Sequence, residues 1–239
     1  DYPDLPPRAD FNRNYKSHFS NPKSKLGYSA LITAADANIG RVLKRLEEMR
    51  LREDTLVIFT ADQGWNAGQH GVWGKGNGTR PFNMLEESIH VPMIWNHPGR
   101  IRASAPDPMI SSYDFLPTLL DYLGLQAPPD PRRVGRSYAG FLRGRPPRDW
   151  RTRLYYEYAY VRAIRTENLK YIERAEGYPN EMYDLEADPG ETRNVYADPA
   201  YRGQREAFQK ELRGFFEGVG APPLSEWRTT VRQTMPVYP

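Results

Sequence analysis

Apolar residues recur at three- and four-residue spacing from Tyr28 to about Met49, through Leu31, Ala34, Ala35, Ile39, Val42 and Leu46. That is the period of an amphipathic helix with one face to bury, and Lys44, Arg45, Glu47 and Glu48 fall mostly on the other face. After the polar break Arg52-Glu53-Asp54 the pattern changes to Thr55-Leu56-Val57-Ile58-Phe59-Thr60. This run is apolar, β-branched and too short for a helix, which predicts a strand covered on both faces. A polar, glycine-rich stretch from Ala61 to Gly78 leads to a second short apolar strand, Val91 to Trp95. Helix followed by buried strand predicts α/β layering. Buried parallel strands deliver functional residues at their carboxyl ends, so the loop after Thr60 is where chemistry is expected.

Ser112 to Leu123 predicts a further helix, with Asp114 in its cap region and Gly124 as its stop. Beyond Pro131, the segments 154–158, 161–165, 169–172 and 181–185 are short, aromatic or β-branched, and separated by turn residues. They predict a small antiparallel sheet. Phe208, Leu212, Phe215 and Phe216 then recur at helical spacing, predicting a closing helix over Tyr201 to Phe216. The organisation expected is an α/β region over 1–140 and a small antiparallel β subdomain with its helix over 141–239. Residues 1–25 lack periodicity and read as an irregular leading loop. Proline makes up 22 of 239 residues, about 9% against a usual share near 5%, and long loops are expected where it gathers.

Lys and Arg number 33 against 30 Asp and Glu, a net charge of 33 − 30 = +3. So small a surplus does not mark a nucleic-acid binder or a membrane-surface protein. No apolar run approaches the roughly 18 to 20 residues of a membrane span. The start, Asp1-Tyr2-Pro3-Asp4, lacks a basic-then-apolar signal segment. The absence of cysteine excludes a disulfide framework, thiolate zinc and a cysteine nucleophile within these residues.

Asp62-Gln63-Gly64 directly follows the first strand. Neighbouring side chains on a flat strand point apart, so these two can aim at one point only where the strand ends and curls, as Gly64 permits. A carboxylate and an amide oxygen suit a hard cation such as Ca²⁺ or Mg²⁺, which takes six or more ligands. Alone, the tripeptide reads as a turn. It is followed by Gly68-Gln69-His70-Gly71 and Gly74-Lys75-Gly76, which put an imidazole and an ammonium on the same loop. The combination points to an anion site beside a metal, although singly His70 reads as a structural histidine and Lys75 as a solvated charge. Trp65 and Trp73 offer either a wall for a sugar ring or packing anchors. Asp36 is either a partner of this loop or a solvated helix position, and His90 and His97 read as structural.

Three groups of residues, taken in order, resemble the second half of the sulfatases of the alkaline-phosphatase-like superfamily. They are Asp36 to Leu43; Thr60 to Gly64 with Gly68 to Gly71, Lys75-Gly76, Glu87, Val91 to Ile94 and Pro98-Gly99-Arg100; and Asp114 to Leu120 with Tyr183 to Asn194. The resemblance covers roughly residues 28–217. It implies part of an alkaline-phosphatase-like α/β/α sandwich followed by the small sheet and helix. It matches Asp62 to the family's metal-binding aspartate, and Gln63 takes the place usually held by asparagine or histidine in the metal shell. Lys75 matches the lysine that contacts the sulfate group, and His70 a histidine lining the site.

The resemblance further implies Ca²⁺ or Mg²⁺, a sulfated carbohydrate or small molecule as substrate, and a periplasmic or secreted protein. The family's nucleophile is a formylglycine made in a Cys/Ser-x-Pro/Ala-x-Arg motif, with a pair of metal-binding aspartates upstream of it. Neither occurs in these residues. They are expected from an upstream half of the domain, covalent or as a companion chain. Two alternatives stay open: a phosphonate monoesterase or phosphodiesterase of the same superfamily, and a non-catalytic carbohydrate-binding remnant.

Overall fold

A computed structural model describes residues 12–13, 22–126, 129–130, 132–175 and 177–226. The chain divides into two compact units. The first takes the described residues up to Arg80, with Leu85–Pro106 and Gly140–Pro146. Most of the expected leading loop lies outside the described residues, save a two-residue strand β1 (Asn12–Arg13), and helix α1 runs over Pro22–Glu48. It begins six residues before the periodic stretch, at a proline whose fixed φ suits the first turn. Its apolar stripe is open: Leu26, Leu31 and Val42 are 71%, 70% and 62% exposed.

Strand β2 (Val57–Thr60) ends at the expected place. Two expectations about it fail within this chain. Its neighbour, the later strand Met93–Asn96, runs antiparallel, with Ile58 opposite Trp95 and Phe59 opposite Ile94. Val57 and Ile58 are half-buried, while Phe59 and Thr60 are exposed. An apolar run reports how much surface a strand offers to bury; it carries no information on a neighbour's direction. The loop after β2 forms two small ladders. In one, β3 (Asn66–Ala67) pairs with β4 (Trp73–Gly74); in the other, β5 (Thr79–Arg80) pairs with β1. A single helical turn, α2 (Glu86–Ile89), precedes the strand Met93–Asn96, here β6.

The second unit holds Pro81–Met84, the described part of 107–139 and the described residues from Pro147 onward. Residues 107–139 thus group with this unit, although they lie before the sequence boundary at 140. Helix α3 (Phe115–Tyr122) follows a 3₁₀ turn over Ser112–Asp114. Asp114 closes a capping box with Ser111, and its fully buried carboxylate also accepts from Arg136 N at 2.7 Å and Arg151 Nη2 at 2.7 Å. Gly124 stops the helix at φ +71. A short helix α4 (Ala139–Leu142) comes next in the chain, its last three residues belonging to the first unit.

Strands β7 (Leu154–Tyr158), β8 (Val161–Arg165), β9 (Leu169–Arg174) and β10 (Glu181–Asp184) form the predicted antiparallel meander, in the order β10-β9-β8-β7. Helix α5 (Arg202–Gly218) covers it, as predicted from its phenylalanines. Ile164, Tyr171 and Met182 from the sheet pack with Phe208, Leu212 and Phe216 from the helix. Phe215 stacks on Tyr155 at 3.8 Å.

The other side of this unit is polar and buried. Lys170 pairs with Glu191 at 2.5 Å, and Arg174 with Glu181 at 3.0 Å, all four side chains being buried. These cations also hold the strap Pro81–Met84: Lys170 Nζ donates to Met84 O at 2.7 Å, and Arg174 Nε to Phe82 O at 3.0 Å. Phe82 N donates to the Tyr160 hydroxyl at 3.1 Å, and the two rings stack at 4.7 Å. The backbone of the strap is therefore satisfied by side chains of the sheet rather than by a ladder.

Candidate functional site

Asp62 and Gln63 form the bend at the end of β2. Gly64 N donates to Ser88 O at 3.1 Å, drawing the bend against α2. A Cβ at position 64 would stand 2.0 Å from Glu87 O, so only glycine permits the approach. Asp62 is exposed and Gln63 half-buried, and neither side chain makes a hydrogen bond or ion pair with the described residues. Two oxygen donors of the right kind are thus open. No group of three or more His, Cys, Asp or Glu side chains among the described residues could hold a metal. Asp62 and Gln63 fit a hard cation in donor type and leave most of its shell to be filled from elsewhere.

His70 sits in a 3₁₀ turn at φ +54, between Gly68 at φ +116 and Gly71 at φ +63. Its ring is wholly buried, with Nε2 3.6 Å from Glu87 Oε2 and neither ring nitrogen hydrogen-bonded. The ring is therefore enclosed beside the Glu87 carboxylate, with neither nitrogen engaged by the described residues. Lys75 follows β4 directly, and its carbonyl accepts from Gly78 N at 2.7 Å. Its side chain is half-buried and makes no hydrogen bond or ion pair with the described residues.

Trp65 and Trp73 meet edge-on at 6.2 Å, and both meet Tyr28 of α1, at 6.1 and 5.9 Å. The three rings anchor the loop to α1, and the sequence pattern did not single out Tyr28 as their partner. Asp36 is exposed on α1 and makes no hydrogen bond or ion pair with the described residues. His97 is buried, its Nε2 3.0 Å from Glu53 O, a structural contact as expected; His90 is exposed. Asn66 is the residue that sequence reasoning missed. It is fully buried, and its Nδ2 donates to Ser88 Oγ at 2.7 Å and Gly74 O at 3.2 Å. One asparagine in a glycine-rich loop has no spacing to reveal it. Asp62, Gln63 and Lys75 are thereby carried on one hydrogen-bonded loop, with His70 enclosed inside it.

A profile of the sulfatase family matches residues 4–125, and one described as N-sulphoglucosamine sulphohydrolase, C-terminal, matches residues 68–217. The chain is 34% identical over 201 residues to an N-acetylglucosamine-6-O-sulfatase of Bacteroides thetaiotaomicron, covering 80% of this chain and 34% of that protein. A solved structure in complex with its substrate D-glucosamine-2-N,6-O-disulfate superposes with a TM-score of 0.66 at 31% identity, over 79% of this chain and 39% of that one. A phosphonate monoester hydrolase of Agrobacterium radiobacter superposes with a TM-score of 0.69 at 29% identity, over 79% and 40%. The chain therefore spans 34% to 40% of the length of these proteins.

Proposed function

Because this chain belongs to the sulfatase family of the alkaline phosphatase superfamily, we propose that it supplies Asp62, Gln63 and Lys75 to the active site of a sulfuric ester hydrolase acting on a sulfated carbohydrate. The observation that carries this reading is the pairing of an unengaged carboxylate and amide on a braced bend with an unengaged ammonium on the same loop. Asp62, with the amide oxygen of Gln63, would hold Ca²⁺ or Mg²⁺, an ion that polarises oxygens and neutralises charge when bound. The Lys75 ammonium stabilises negative charge developing on the sulfate and leaving oxygens. By the family resemblance His70 is a further catalytic residue of this site, its ring enclosed beside Glu87. The nucleophile, a formylglycine by family resemblance, belongs to sequence outside these residues.

The same reading has an upstream half of the domain covering α1 and the β2–β6 pair. Leu26, Leu31, Val42, Phe59 and Ile94 are all exposed here, and large apolar side chains gathered in the open mark a surface that another segment covers. Residues 1–239 expressed alone should bind a hydrophobic dye strongly and aggregate. A monomeric isolated chain that leaves the dye dark would reject this arrangement. A periplasmic or secreted location belongs to the proposal too, and fractionation of the source cells checks it.

The activity is tested on the full-length protein with matched aryl esters of sulfate, phosphate and phosphonate. Sulfate should be turned over fastest, and Lys75→Ala should lower that turnover by on the order of 10²-fold, about 2.7 kcal/mol of transition-state stabilisation. Wild-type turnover in the variant would refute the role of Lys75. A second reading, hydrolysis of phosphonate or phosphate esters, is supported by the phosphonate monoester hydrolase likeness, and a reversed preference would select it. Binding of sulfated saccharide without turnover of any ester would instead select the non-catalytic remnant.

A further inference from the structure

Resting on the reading of Asp62 and Lys75 above, we infer that Asn66 is a positioning residue that locks the Lys75 turn to the Asp62-Gln63 bend. A carbonyl oxygen only accepts, so the amide nitrogen of Asn66 must face Gly74 O, and its second N–H reaches Ser88 Oγ. The carbonyl of Gly74 and the nitrogen of Lys75 share one rigid peptide plane. Holding that carbonyl therefore fixes the plane from which Lys75 departs. Gly74 itself stands at φ +142, a conformation that selects glycine and has no side chain to steady it.

At the other end, Ser88 O accepts from Gly64 N, whose peptide plane carries the carbonyl of Gln63. Ser88 thus grips the plane after Gln63 with its carbonyl and the Asn66 amide with its hydroxyl. The two planes next to the proposed metal ligands and the proposed cation are joined through one amide group. Both Asn66 donors are used, one on Gly74 O and one on Ser88 Oγ of α2, and the side chain is fully buried. It cannot touch substrate and acts only through its neighbours. Asparagine suits the place because a donor must face the Gly74 carbonyl; an isosteric aspartate would set oxygen against that carbonyl and keep at most a bond from the Ser88 hydroxyl.

The test uses the full-length protein and the variants Asn66→Asp, Lys75→Ala and the double, with kcat and KM on an aryl sulfate, metal content and Tm. Asn66→Asp should lower kcat by about 10- to 100-fold, as removal of supporting partners at active sites does, with KM little changed. Added to Lys75→Ala, it should cost less than about a further threefold, because the two act on one interaction. Effects that multiply in full, or a lowered Tm with unchanged kcat in the folded protein, would overturn the inference. Wild-type activity in Lys75→Ala would instead remove the reading of Lys75 and the inference with it. Should Asn66→Asp not fold, Ser88→Ala removes the hydroxyl that Asn66 donates to and leaves the Gly74 O acceptor in place. It should give a smaller fall in kcat that again fails to add to Lys75→Ala, and an unchanged kcat there would overturn the inference equally.

Discussion

Asp62→Ala in the full-length protein should abolish metal-dependent ester hydrolysis while leaving the fold in place. The asymmetry follows from where the residue stands. Asp62 lies past the last residue of β2, is exposed, and makes no hydrogen bond or ion pair with the described residues. A surface substitution of that kind costs within about 0.5 kcal/mol of stability. A divalent ion that loses an anionic ligand loses a large share of its binding, and hydrolysis that depends on it goes as well. Metal content measured by mass spectrometry should fall, and Tm in the presence of chelator should match wild type. Undiminished metal content in the variant would reject Asp62 as a ligand. A large drop in Tm under chelation would mean that the residue is structural.

Breaking the Lys170–Glu191 pair should have the largest effect on stability. Both side chains are buried, 2.5 Å apart, and Lys170 also donates to Met84 O. Lys170→Met removes the cation beside an enclosed carboxylate and takes a donor from the strap. Removal of one partner from a buried pair costs about 3–5 kcal/mol, most of it the penalty of the stranded charge. Replacing both, as Lys170→Met with Glu191→Leu, should recover part of the loss, because the Glu191 carboxylate is then no longer enclosed without Lys170. Glu191 stands at φ +51, so a bulky β-branched replacement there would add backbone strain and is avoided. Denaturant unfolding of the full-length protein reads both outcomes. A loss below about 1 kcal/mol in the single variant would show that the carboxylate finds water and that the pair is not a structural keystone.

The small sheet and its helix are legible in the sequence because their order is local. Each strand of 154–184 pairs with the next through a short turn, so alternation and turn residues carry the whole instruction, and the phenylalanines of α5 show the face that covers it. The same holds for the bend at Asp62-Gln63-Gly64 and the turn at Lys75, which residue type and order mark out. Three features appeared only with the tertiary structure: the antiparallel direction of β6, the enclosure of His70, and the Asn66 amide joining Gly74 to Ser88. The grip of Lys170 on Met84 and of Arg174 on Phe82 spans 86 and 92 residues of chain. Such contacts join single side chains to single carbonyls and leave no period in the sequence. Only the folded chain brings donor and acceptor within hydrogen-bonding distance, and the cost of burying them unpaired is what holds them there.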